Sequence, residues 1–505
     1  MHPIYSYLSG FALLIIAASC STQSSELAST SEPPPNIVLI FTDDQTYTAV
    51  QALGNEEIET PNLDRLVRNG TTFTHAYNMG GWNGAICIAS RSMMISGRSV
   101  WRANQFQERW RAGDSLALTQ TWGKLMEQEA GYNTYMTGKW HVAAPADSVF
   151  QTVRHIRPGM PNDFRSQGSF DSPETMPVGY NRPKDEQDQS WLPYDTAMGG
   201  FWEGGRHWSE VLKDDALDFI DDAVAQPDPF FMYLAFNAPH DPRQSPKEFI
   251  DRYPLDSISL PESFMPRYPY EESIGLGPKL RDEALAPFPR TEYAAKVHRQ
   301  EYYAIVTHLD QQIGEILDAL EASGKMENTY IMFTADHGLS VGRHGLLGKQ
   351  NMYDHSVRVP LMLVGPDIPA NRRVAADVYL QDVMATSLEL AGIEKPDYVE
   401  FNSLLGLAKG EDEQGSYDAV YGAYMDFQRM IRKNGMKLIV YPKANEVLLY
   451  DLKQDPKELN DLADDPAYAD EIASLLGDLL ALQQQFDDTL DLEPMYRERT
   501  GSTSP

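Results

Sequence analysis

Four short clusters of titratable residues stand out in this 505-residue sequence, because each closely follows an apolar run. Asp43-Asp44 follows residues 36–42 (NIVLIFT), and Asp336-His337-Gly338 follows residues 330–334 (YIMFT). Lys139 and His141 follow residues 132–137 (YNTYMT), and His240 follows residues 230–236 (FFMYLAF). Asp43, Asp44 and Asp336 together would be three adjacent carboxylates, which is costly unless a cation lies between them. An oxygen-rich donor set suits a hard metal, Ca²⁺ or Mg²⁺. His337 is then either a fourth ligand or a substrate contact. Asp-Asp in isolation reads as a turn cap, but Asp336-His337 after a similar strand favours the metal. Lys139, His141, His240 and Lys349 are the groups that would receive an anion beside it.

Continuous apolar runs of this kind suit central parallel strands covered on both faces. Helical segments fall between them. Thr60-Pro61 opens one that Gly70 closes, and residues 116–129 and 299–323 carry apolar spacing at helical period. Strands alternating with helices predict a large mixed, mostly parallel α/β sheet sandwiched by helices, with its chemistry at the carboxyl ends of the strands. All four polar clusters fall there. The catalytic domain is expected over residues 36–400. A smaller antiparallel subdomain should follow over 401–505, with strands at 419–425, 430–432, 436–441 and 447–451. Asn434-Gly435 reads as its hairpin turn, and residues 471–485 as an amphipathic closing helix.

Lys and Arg number 42 against 73 Asp and Glu, a net charge of −31 that repels phosphate backbones and argues against a nucleic-acid partner. The two cysteines, Cys20 and Cys87, exclude a disulfide framework. Residues 8–18 (LSGFALLIIAA) are too short to span a membrane but fit the apolar region of a secretory signal. Ala17-Ala18-Ser19 before Cys20 resembles a bacterial lipoprotein processing box. Residues 1–19 therefore read as a signal peptide and 20–35 as a flexible tether, with lipidation of Cys20 or plain secretion as the two outcomes. Either puts the protein in the periplasm or at the cell surface. Only an acyl anchor, in the outer membrane, would bring membrane contact.

The run from Cys87 through Ala89, Arg91, Ser96 and Gly97 to Arg98 resembles the signature of the type I sulfatases. These are the formylglycine-dependent branch of the alkaline phosphatase superfamily. Ala89 stands where Pro is commoner, and Ser96 where Thr is commoner. The likeness runs from residue 36 to about 488. It implies that a formylglycine-generating enzyme oxidises Cys87 to formylglycine (3-oxoalanine), whose gem-diol attacks sulfate sulfur through a covalent sulfo-enzyme. By the same resemblance Asp43, Asp44, Asp336, His337 and the residue at Cys87 hold a divalent metal. Arg91 holds the diol and His141 assists it. Lys139 and Lys349 bind sulfate oxygens, and His240 protonates the leaving alcohol.

Specificity must come from loops. The connection over residues 142–209 holds Trp191, Tyr194, Trp202, His207 and Trp208, which either stack on sugar faces or pin the loop down. Arg243, Trp82 and Asn83 are the expected substrate contacts, together with Lys139, His240 and Lys349. The loop set suits a sulfated polysaccharide or oligosaccharide. The alternatives are a formylglycine-dependent phosphodiesterase or phosphonate monoester hydrolase, and a catalytically dead lipoprotein that binds sulfated glycans. Retention of Cys87, Arg91, Lys139, His141, His240 and Lys349 argues against the last.

Overall fold

The computed structural model describes Met1 and residues 34–163 and 168–501. Apart from Met1, the expected signal region, the tether as far as residue 33 and Cys20 lie outside the described residues. Residues Pro34–Pro505 form one compact unit. No helix among the described residues is long and apolar enough to cross a membrane.

The main sheet has eight strands: β1 (Asn36–Thr42), β2 (Thr71–Tyr77), β3 (Asn133–Lys139), β4 (Thr152–Arg157), β5 (Phe230–Ala235), β6 (Thr329–Ala335), β7 (Arg358–Val364) and β8 (Arg372–Tyr379). Their spatial order is β8-β2-β7-β6-β1-β5-β3-β4. Only β7 runs antiparallel to its neighbours β2 and β6, so the sheet is mixed and mostly parallel, as the sequence predicts. β1 is buried along its whole length. Its side chains alternate between two cores, as a strand covered on both faces requires. Ile37, Leu39 and Phe41 join Trp122, Met126 and Met384 in one core, whereas Val38 and Ile40 join Leu66, Phe219 and Leu309 in the other.

Two helices differ from expectation. Apolar spacing runs unbroken through 116–129, yet the chain forms Ser115–Thr119 and Trp122–Ala130. Between them the Thr121 hydroxyl donates to the Leu118 carbonyl at 2.7 Å, which competes with helix continuation. The long helix expected at 299–323 is Glu292–Ala322, and it starts earlier because the Thr291 side chain caps Ala294 N–H. From within this helix Asp310 accepts from the Asn62 and Leu63 N–H groups, capping Pro61–Asn69 across space.

A second sheet holds β9 (Val420–Tyr424), β10 (Gln428–Lys433), β11 (Met436–Tyr441) and β12 (Glu446–Asp451), antiparallel in sequence. Asn434 and Gly435, both at positive φ, turn β10 into β11 as expected. Helix Ala469–Gln485 closes this sheet through Ile472, Leu475, Leu476 and Leu479. The short strand Gly80–Gly81 pairs with β9 and ties this sheet to the loop before Cys87. A Cβ on Gly80 would lie 1.9 Å from the Ala423 carbonyl oxygen, so only glycine permits that approach.

Candidate active site

The carboxyl ends of β1, β3, β5 and β6 converge, because those strands are neighbours in one parallel block. β1 delivers Asp43-Asp44, β6 delivers Asp336, β3 ends on Lys139, and the turn after β5 carries His240. Asp44 has φ 65°, and its N–H donates to Asp336 Oδ1 at 3.1 Å. The Tyr302 hydroxyl supports this turn, donating to the Asp44 carbonyl at 2.8 Å and accepting from Thr46 N–H at 3.0 Å. Asn78 Nδ2 donates to the Asp336 carbonyl at 2.5 Å.

Cys87 lies in the first turn of helix Ile86–Ser96 and Arg91 one turn later. That N-terminus favours negative charge beside the side chain. Cys87 Sγ is 3.2 Å from Asp43 Oδ1 and 3.0 Å from Lys349 Nζ. Lys349 Nζ donates to both Asp44 oxygens at 2.5 and 2.7 Å, and Lys139 Nζ pairs with Asp43. Arg91 forks between Asp336 Oδ2 at 3.0 Å and the Lys139 carbonyl at 2.9 Å. Its Nη2 has no hydrogen-bond partner and stands 3.9 Å from Asp43 Oδ1. All these side chains are buried.

Ligand atoms of Asp43, Asp44, Asp336 and Cys87 lie within 4.8 Å of one another. Three buried carboxylates so close form a donor set able to hold a hard divalent cation. Burial, then Asp336, pushes Asp43 well above the usual carboxylate range, and burial raises Asp44 to about 6. Burial acts the same way on Asp336, but the Arg91 and Lys139 charges override it and hold that carboxyl low. Burial, then Asp336 and Asp43, pushes the Cys87 thiol well up, so it stays protonated. His337 is not in the four-residue donor group. Its Nδ1 faces the Gly338 carbonyl at 3.2 Å, its Nε2 is buried without a partner, and burial lowers it to about 4.

His240 Nδ1 lies 2.6 Å from the Asp241 carbonyl, which can only accept, so this nitrogen carries the proton and Nε2 faces the site. Burial, then Lys349 and Lys139, lowers His240 well below its ordinary value. His141 has φ 58° and is lowered to about 2 by burial, with Lys139 and Arg91 adding to it. Its ring lies against Gly159, where a Cβ would come within 2.3 Å. The structure thus brings Asp43, Asp44, Asp336, Lys139, Lys349 and His240 together around Cys87 and Arg91.

Family comparison rests on almost the whole unit. Residues 35–393 match the sulfatase family, and 342–485 match the C-terminal part of N-sulphoglucosamine sulphohydrolase. The chain belongs to the sulfatase family. It is a sulfuric ester hydrolase. This sulfatase is 28% identical to an arylsulfatase of Clostridium perfringens over 87% of this chain and 92% of that protein. It is 26% identical to an N-acetylglucosamine-6-O-sulfatase of Bacteroides thetaiotaomicron over 96% and 95%. It shares its fold with a structure solved with its substrate D-glucosamine-2-N,6-O-disulfate. That match has TM-score 0.68 and 23% identity, covering 90% of this chain and 99% of that one.

The loop residues of the sulfatase fall differently from the charged core. Arg243 is buried, with Nη1 3.0 Å from His298 Nδ1. Trp82 packs on the C-terminal core, and Asn83 Oδ1 accepts from Ala85 N–H at 2.8 Å, shaping the entry to the Cys87 helix. Trp191 and His207 are buried and pin the long connection. Sequence reasoning missed Asn78 and Tyr302, which position the carboxylates, and Arg281, which lies 3.3 Å from His240 Nε2. Asn78 has no neighbouring signal of its type, and Tyr302 reads as an ordinary core residue. Arg281 sits in an irregular segment whose path only packing defines.

Proposed function

We propose that this sulfatase removes sulfate esters from a sulfated polysaccharide or oligosaccharide, using formylglycine made from Cys87 by a maturation enzyme. The observation that carries this reading is the placement of Cys87 Sγ, 3.0 Å from Lys349 and 3.2 Å from Asp43, in the first turn of a helix. The buried thiol is a poor nucleophile as it stands; the hydrated aldehyde offers a hydroxyl that attacks sulfur and a second that releases the covalent sulfo-enzyme without water attacking sulfur. Glycan substrates are supported by the N-acetylglucosamine-6-O-sulfatase relative.

Each side chain then has a task at a stated atom. Lys139 and Lys349 Nζ, now on Asp43 and Asp44, turn to sulfate oxygens in a dry site where a charge contact counts far more than in water. Arg91, fixed by Asp336 and the Lys139 carbonyl, keeps the nucleophile in place. His240, whose Nδ1–H is held by the Asp241 carbonyl, takes up a proton at Nε2, which the negative charge of the arriving sulfate favours, and delivers it to the leaving sugar oxygen. His141 assists the second diol hydroxyl. Asp43, Asp44 and Asp336, with the residue at position 87, are the residues that would hold Ca²⁺ or Mg²⁺. When bound, that metal supplies charge that polarises the nucleophile and the sulfate oxygens.

Protein co-produced with a formylglycine-generating enzyme is the material for the test. Sulfate release from a panel of sulfated oligosaccharides is expected to exceed cleavage of an aryl phosphodiester or phosphonate monoester. The reverse preference overturns the reading in favour of phosphorus chemistry. Binding of the same oligosaccharides without turnover, unchanged in Cys87→Ala, overturns it in favour of a dead site. We also propose export to the periplasm or cell surface on the strength of residues 8–20. Fatty-acid labelling lost in Cys20→Ala tests the lipid anchor.

A further inference from the structure

While the catalytic side chains are buried, Arg281 at the edge of the site keeps 24% exposure. Its Nη1 donates to the Asp241 carboxylate and lies 3.3 Å from the Tyr180 hydroxyl. Its Nη2 pairs with the Asp282 carboxylate and stands 3.3 Å from His240 Nε2. Asp282 accepts from Gln350 Nε2 at 2.6 Å, and the same amide reaches the Gly84 carbonyl at 3.0 Å. A polar bridge therefore runs from the His240 turn to the segments that follow Lys349 and precede Cys87. A leaving alcohol whose oxygen faces His240 Nε2 has its neighbouring substituent beside Arg281 Nη2.

We propose that Arg281 is a specificity-determining residue: it donates a hydrogen bond to a hydroxyl next to the scissile ester, and the Asp241–Arg281–Asp282 set favours sugars uncharged there. The proposal rests on the sulfated-glycan function. A guanidinium that reads a carboxylate or sulfate does so through a free fork. Here both terminal nitrogens already meet a carboxylate, and one positive charge stands between two negative ones. A second sulfate or a uronate carboxylate at this point gains little from Arg281 and is repelled by Asp241 and Asp282. A hydroxyl meets no such repulsion. It accepts the Nη2–H now aimed at the lone pair of His240 Nε2, which is released once Nε2 takes up the proton for the ester oxygen, and it can donate its own proton to a carboxylate.

The test is a cycle between substrate and variant, on enzyme whose residue 87 is confirmed as formylglycine. The probes are monosulfated methyl glycosides of glucose, galactose and N-acetylglucosamine, with analogues deoxygenated beside the ester. Uronate and disulfated counterparts complete the set, and 4-nitrophenyl sulfate serves as control. In the wild type, deoxygenation should lower kcat/KM by roughly 10- to 100-fold, the range of a hydrogen bond to a charged group. Arg281→Gln should be slower on the parent sugar yet show less than about 3-fold further loss on its deoxy analogue. Misplacement of His240 alone would slow both sugars equally and leave the deoxy penalty intact. Asp282→Asn should narrow discrimination against the disulfated sugar by about 5-fold or more. The same deoxy penalty in wild type and Arg281→Gln overturns the proposal, as does a wild-type preference for the uronate or disulfated sugars. Turnover of 4-nitrophenyl sulfate with none of the sugars refutes the glycan reading itself.

Discussion

Arg91→Met removes a side chain that joins Asp336 to the Lys139 strand end. Its Nε–Asp336 Oδ2 contact of 3.0 Å and Nη1–Lys139 carbonyl contact of 2.9 Å are both fully buried. Breaking a buried ion pair from one side costs about 3–5 kcal/mol, because the remaining charge is left in a low dielectric. In a unit spanning Pro34–Pro505 the unfolding entropy is large, so each kcal/mol lowers Tm by only about 1 °C. The expected fall is therefore roughly 3–5 °C in a calorimetric scan. Arg91→Lys keeps the charge, but its single nitrogen replaces a fork that holds two acceptors, so it should fall between the two. Turnover of sulfated substrate should drop at least about 100-fold in Arg91→Met, since a preorganised donor at the nucleophile is lost. A Tm within about 1 °C of the parent, with metal content and kcat unchanged, would refute the assignment of Arg91 as the tie between carboxylate and nucleophile.

Three further outcomes are expected. Asp336→Ala should lower both bound divalent metal, read by elemental analysis, and activity; unchanged metal occupancy would remove Asp336 from the donor set. His240→Ala should slow hydrolysis of sugar sulfates more than of aryl sulfates by about 10-fold or more, because only the poor leaving group needs the proton. Equal losses on both would rule out general-acid catalysis at Nε2. Asp382, which accepts from Tyr379 and Asn402 N–H groups, is pushed up to about 7 by burial, so the folded state holds its proton more tightly than the unfolded chain. Its stabilising effect is full below the unfolded value of 3.8 and is lost as pH rises towards 7, a difference of roughly 4 kcal/mol. Asp382→Asn should flatten that part of the stability–pH curve, and an unchanged curve between pH 4 and 7 would contradict the burial argument.

The charged centre was legible in the sequence because one physical rule places it. A continuous apolar run such as residues 36–42 must be buried on both faces, and the residues just beyond such a strand emerge at one edge of a parallel sheet. Cys87 and Arg91 were legible only through the likeness of residues 87–98 to the sulfatase signature. The supporting residues were not. Tyr302 reaches Asp44 across 258 positions and Asn78 reaches Asp336 across 258, so neither contact leaves a local trace. Arg243 follows His240 by three residues, but its contact with His298 across 55 positions leaves no local trace either. Arg281 takes the place at the mouth through a segment with no period to read. In the same way the 116–129 periodicity hid a break, since a hydroxyl–carbonyl bond at Thr121 leaves the apolar spacing intact.

The central claim is that Cys87 is the precursor of the nucleophile. Peptide mass spectrometry of protein made with a formylglycine-generating enzyme tests it most directly. The account predicts that the peptide containing Cys87 carries the mass loss of thiol-to-aldehyde conversion and traps hydrazide reagents, and that turnover scales with the converted fraction. An intact thiol at Cys87 in protein that hydrolyses sulfate esters at full rate would contradict it.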